Sequence, residues 1–183
     1  MEKEAGKRRT GADRKGGLRV TMMENDAFVR TDRMRYVKNV ASSRLCYLAI
    51  LTDVLCFVSI YSTDAGSWYY KWIIGVSIVW NLLFMLMTFL ASEGVKNYQV
   101  KYCPLLYALG AVQFVRVFIL PLQAHQATVK ISGAETLVMG SGQFAFTVLC
   151  FVISGIALVA AGVINQRKYF ILKDHLKKIE ERG

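Results

Sequence analysis

The chain has 183 residues, a mean hydropathy of +0.34 and an apolar share of 54%. Its charged residues, 20% of the chain, crowd toward the two ends and leave a net charge of +10. That segregation excludes an ordinary soluble domain, and the length leaves no room for a second domain beside several membrane spans.

Residues 1–43 form a basic, polar N-terminal tail. A secretory signal is not expected, because its short apolar region sits close to the start, whereas here a long polar stretch precedes the first apolar run. Lys15, Gly16 and Gly17 can be encoded in a bacterium as AAAGGAGG, a ribosome-binding string shortly upstream of the Met22 and Met23 codons. On that reading residues 1–21 are untranslated leader and the membrane is the bacterial cytoplasmic membrane. A native intact mass of the full 20.6 kDa would exclude it.

Four stretches reach bilayer length, at about Leu45–Tyr61, Tyr69–Leu90, Cys103–Leu120 and Val138–Ile164. Each offers roughly the 17–25 mainly apolar residues that cross ~30 Å of hydrocarbon. The predicted fold class is all-α, an integral membrane four-helix bundle over residues 44–165, with a tight outer turn around Ser62–Ser67. The chain sits in the cell membrane as a multi-pass protein on this reading, with the lipid bilayer as its first partner.

Orientation follows from the cations. Met1–Arg44 holds twelve Lys and Arg against six acids, and Gln166–Gly183 holds six against three. The loop between spans two and three adds Lys96 and Lys101, while the other two loops offer only Lys71 and Lys130. The positive-inside rule places both termini and the middle loop in the cytoplasm. Trp68, Tyr69, Tyr70 and Trp72 then mark the outer interface, and Tyr98 and Tyr102 the inner one.

An ionisable side chain in mid-membrane costs a few kcal/mol, so each one requires a reason and a partner. Asp53 falls in span one and Arg116 in span three, at about 12 Å and 20 Å from the inner edge by helical rise. The long Arg stem covers much of that difference, so the two are expected to pair, with Asn81 and Gln113 completing an intramembrane polar layer. Such a layer serves to fix helix register, to bind or gate an ion, proton or charged solute, or to meet a charge on another subunit.

Span four carries Ser154, Ala157 and Ala161 with Gly155 and Gly162 beside them, a small-residue stripe that lets another helix approach closely. Packing within the chain's own bundle is the expected use. Gly140 and Gly142 match no phosphate-binding fingerprint. Residues 166–183 read as a basic amphipathic cytoplasmic helix, in which Tyr169, Leu172, Leu176 and Ile179 share one face. That face suits the inner leaflet or a cytoplasmic partner.

Cys46, Cys56, Cys103 and Cys150 form no metal or disulfide framework and read as buried small hydrophobes. His125 and His175 are too far apart in topology to share a metal, and no nucleophile motif is present. Glu135 near His125 in the outer loop is weak ground for acid–base chemistry. No enzyme activity, cofactor, metal or nucleic-acid partner is expected. The sequence therefore predicts a non-enzymatic accessory or structural subunit of a membrane complex, most plausibly in a transport system, with membrane or cytoplasmic protein partners or self-association. The alternative is a small homo-oligomeric channel or transporter built around the polar layer.

Overall fold

The computed structural model of the protein describes residues 22–61, 68–119, 121–126, 128–131 and 134–181. The leader reading for residues 1–21, the expected turn at Ser62–Ser67 and Arg182 lie outside these. Residues 22–33 are helical (α1), followed by α2 (Val40–Tyr61), α3 (Trp68–Lys96), a 3-10 turn (Val100–Tyr102), α4 (Cys103–Ile119), α5 (Pro121–Gln126), strands β1 (Thr128–Ile131) and β2 (Ala134–Leu137), and α6 (Ser141–Glu180). Four of the helices are long and apolar enough to cross a membrane.

The helices begin and end where backbone chemistry requires. The Asn39 carbonyl accepts from the Ser43 amide, so α2 starts five residues before the apolar run first expected at Leu45. Apolar counting measures hydrocarbon coverage, whereas hydrogen bonding fixes helix ends. In the same way α3 continues past Leu90 to Lys96. It ends in a turn where Gly94 accepts from the Asn97 and Gln99 amides and Tyr98 takes a left-handed φ of 57°. Pro104 sits in the first turn of α4 and Pro121 opens α5, positions where a missing N–H costs nothing.

Between α5 and α6 the chain makes a two-stranded antiparallel hairpin, in the register Thr128↔Leu137 to Ile131↔Ala134. The sequence reading had only an outer loop here. Each strand is four residues long, too short for an alternating pattern to stand out.

By packing, the chain divides into two units, Asn39–Tyr169 and the described parts of Met1–Lys38 with Phe170–Gly183. In the first unit a core cluster draws on all four long helices: Cys46 and Ala49 of α2, Phe84, Ala91 and Val95 of α3, Leu106 and Leu109 of α4, and Ala157, Leu158 and Ala161 of α6. A second cluster joins Cys56, Ile60, Ala124, Met139, Cys150 and Phe151. Outward positions are apolar too, among them Leu51, Val58, Val79, Leu82 and Phe118. An interior and an exterior that are both apolar suit lipid as the solvent.

In the second unit His175 is buried, meets the Phe28 ring in a tilted contact with centroids 4.6 Å apart, and donates from Nε2 to Asp32 Oδ1 at 3.3 Å. Arg35 also donates to Asp32. Together the Arg35 hydrogen bond, then the His175 one, hold the Asp32 carboxyl below its usual range near 3.8. The stabilisation is therefore complete above the unfolded value and is lost as pH falls through the lower, folded one. A carboxyl-carbon NMR titration of Asp32 is expected to give a midpoint under 3.8, rising in Arg35→Ala and, by less, in His175→Ala.

Candidate functional site: an intramembrane polar layer

Five polar side chains from four helices meet inside the apolar core. Asp53 (α2), Asn81 (α3), Gln113 and Arg116 (α4) and Ser154 (α6) are all at most 7% exposed, so each must find its partner within the protein. Gln113 and Arg116 are three residues apart and therefore share one face of α4. Arg116 donates from one terminal nitrogen to Asp53 Oδ1 at 2.8 Å and to Gln113 Oε1 at 2.8 Å, and from the other to Asn81 Oδ1. Gln113 Nε2 in turn donates to Asp53 Oδ1 at 3.0 Å and to Ser154 Oγ at 3.1 Å. Ser154 closes the chain by donating to the Ala49 carbonyl at 3.2 Å.

The electrostatics follow from this geometry. Asp53 and Arg116 form an ion pair with side-chain exposures of 1% and 8%, so water screens it little. The guanidinium also lies over the Phe151 ring, 4.7 Å from its centroid, where the negative ring face favours a cation. Asp53 Oδ2, however, is buried with no hydrogen-bond partner, as is the indole Nε1 of Trp80. The layer is thus charge-balanced but leaves one acceptor, Asp53 Oδ2, unsatisfied.

The four residues singled out from the sequence come together. Ser154 had been read only as a packing residue, and the structure makes it also the link from α6 to the layer. The rest of the stripe brings α6 against α4. A Cβ on Gly155 would lie 2.8 Å from the Phe114 ring, one on Gly162 2.7 Å from Tyr107, and one on Gly110 2.9 Å from Val159 and 3.1 Å from the Gly155 carbonyl. Ala157 and Ala161 are buried in the core cluster.

Of the C-terminal face, Tyr169, Leu172 and Ile179 are half-buried and Leu176 is exposed, while His175 takes the buried position beside it. His125 shares nothing with His175. Its Nδ1 is 3.0 Å from the Met139 carbonyl, which can only accept, so Nδ1 carries the proton, and the ring stacks on Phe144. The four cysteines are buried and free. Among the described residues no group of three or more His, Cys, Asp or Glu is placed to hold a metal.

A second polar cluster, which the sequence reading missed, ties the start of α2 to α3, to the turn before α4 and to α6. Asn39 donates to Ser42 Oγ at 2.9 Å and to Asn165 Oδ1 at 3.1 Å, and accepts from Lys168 Nζ at 2.9 Å. Asn165 donates to the Gln99 carbonyl at 3.2 Å, and Ser43 shares a 2.8 Å bond with Ser92. Asn39 and Asn165 are fully buried, yet 126 positions separate them. A polar residue at a span edge ordinarily faces headgroups, so only the fold reveals this pairing.

No family model, curated protein or solved structure matches the chain. Its functional reading therefore rests on the geometry above.

Proposed function

We propose that the protein is a four-span membrane protein with both ends in the cytoplasm, acting as a non-enzymatic accessory subunit of a membrane complex, with a transport system as its setting. The observation that carries this reading is the charge-balanced polar layer: Arg116 is balanced by Asp53 and held by Gln113 and Asn81, each from a defined helix face. Such a network specifies one helix arrangement more surely than it adds stability. The cytoplasmic orientation is supported by the Lys and Arg of the two ends and of the loop containing Lys96 and Lys101. At about 1.5 Å per residue, the 40 residues of α6 are about twice as long as the hydrocarbon is thick, which supports a C-terminal half lying outside it. Ile171 and Leu176 are exposed on that half, which suits them to contact a cytoplasmic partner.

One observation favours a second reading, a small homo-oligomeric channel or transporter. The unpartnered Oδ2 of Asp53 is an acceptor where a proton or a cation would be held. Asp53→Asn separates the two readings when flux in liposomes and complex recovery from the native membrane are measured together. A structural subunit gives reduced assembly with no ion flux in either form. A conduction path gives flux in the wild type whose ion dependence changes in the variant.

A further inference from the structure

A groove of about 370 Å³ runs along the outside of the bundle between α4 and α6, lined by Phe114, Ile156, Val159, Ala160, Val163 and Ile164. Its walls are apolar, and Phe114, Ile156 and Val163 remain exposed in it. On α6, Ile156, Ala160, Val163 and Arg167 follow one another at spacings of four, three and four, so they share one face of the helix. The lipid-facing stripe that lines the groove thus ends in a guanidinium.

A second cation stands at the same level. Asn165, two residues before Arg167, donates to the Gln99 carbonyl at 3.2 Å and to Cys103 Sγ at 3.3 Å, and the exposed Lys101 lies between those two in the chain. Its ammonium is 5.5 Å from the Tyr102 ring centroid. Acids do not answer these charges: α4 has none, and the first on α6 is Asp174, two turns past Arg167 and paired with Lys178 at 3.0 Å. Glu93, at the same end of α3, is taken up by Lys96 at 3.0 Å.

Length and charge together select the occupant. From Ile156 to Arg167 the helix rises about 17 Å at ~1.5 Å per residue, close to half of the ~30 Å of hydrocarbon. The groove is therefore about one leaflet deep, with its cations at headgroup level. Such a slot fits an acyl chain whose phosphate meets the two cations. A zwitterionic headgroup would bring its own ammonium beside Arg167 and Lys101, whereas an anionic one brings only the charge that they lack.

We propose that this groove binds an anionic phospholipid, an acyl chain lying along Ile156, Ala160 and Val163 and the phosphate held by Arg167 and Lys101. The proposal rests on the membrane-spanning reading and is independent of whether the protein is an accessory subunit.

The test uses the full chain in neutral detergent, stripped of lipid and titrated with phosphatidylglycerol or with phosphatidylcholine of the same acyl chains. Native mass spectrometry counts the lipid bound. Saturable binding of phosphatidylglycerol is expected, at least about tenfold tighter than that of phosphatidylcholine. Arg167→Gln and Lys101→Gln are each expected to weaken it about fivefold and to leave phosphatidylcholine unchanged. Ala160→Phe fills the groove at constant charge and is expected to weaken both lipids. Lys177→Gln, on an exposed residue paired with Glu181 outside the groove, is expected to change nothing. Equal affinity for the two lipids in the wild type overturns the proposal. So does a loss in Lys177→Gln equal to that in Arg167→Gln, which marks diffuse attraction, and so does unchanged binding in Ala160→Phe. The membrane-spanning reading fails separately, by extraction of the protein from membranes without detergent.

Discussion

Arg116→Ala is expected to lower the folding free energy by about 3–5 kcal/mol, the range for breaking one side of a buried ion pair. The loss comes less from the pair than from what is left behind: Asp53 buried with its charge uncompensated, and Gln113 and Asn81 each without a donor. Asp53→Asn is expected to cost less, because the amide oxygen still accepts from the guanidinium. The double variant Asp53→Leu, Arg116→Met removes both charges together and is expected to be more stable than Arg116→Ala alone. Unfolding in mixed micelles by dodecyl sulfate titration reads all three. Equal stability of wild type and Arg116→Ala would show that the layer does not hold the helices.

The second large effect is steric. Gly110→Leu puts its Cβ 2.9 Å from Val159 and 3.1 Å from the Gly155 carbonyl, a backbone atom that gives way only if α4 and α6 move apart, and the rest of the Leu side chain adds to the crowding. Overpacking of this kind costs about 1–3 kcal/mol and more where backbone must move, so the expectation is the upper end of that range. Gly75 is the internal control, since a Cβ there meets nothing within 4 Å. Gly75→Ala is expected to be neutral or stabilising by up to about 1 kcal/mol through helix propensity. The same unfolding titration distinguishes a specific close approach at Gly110 from a general intolerance of substitution.

How much of this was legible in the sequence depends on the kind of signal each feature leaves. Asp53 and Arg116 stood out because a charge within an apolar run is expensive, and Asn81 and Gln113 because they are amide side chains in spans two and three that could complete a polar layer with them. Ser154 was seen only as small, because a hydroxyl that bonds locally and one that bonds across helices look alike in one dimension. The Asn39–Asn165 bond joins residues 126 positions apart and left no local trace. The hairpin left only a hint, the Ser132-Gly133 dipeptide between two short runs. In the C-terminal helix the 3,4 spacing selected Leu176, while the structure buries His175 against Phe28 and Asp32. An imidazole that meets both an aromatic ring at a tilt and a carboxylate fits that position better than an aliphatic neighbour, which hydropathy alone does not weigh.

The polar layer and the exposed apolar side chains of the C-terminal helix support one account: a protein whose four helices are locked by internal chemistry and whose function is to be part of something larger. The measurement that tests this most directly is native mass spectrometry of the tagged full chain, extracted in mild detergent from its native membrane. The account predicts a complex containing a different polypeptide at a constant ratio, with that complex reduced in Arg116→Ala. A population of homo-oligomers alone, conducting ions after reconstitution, would contradict it.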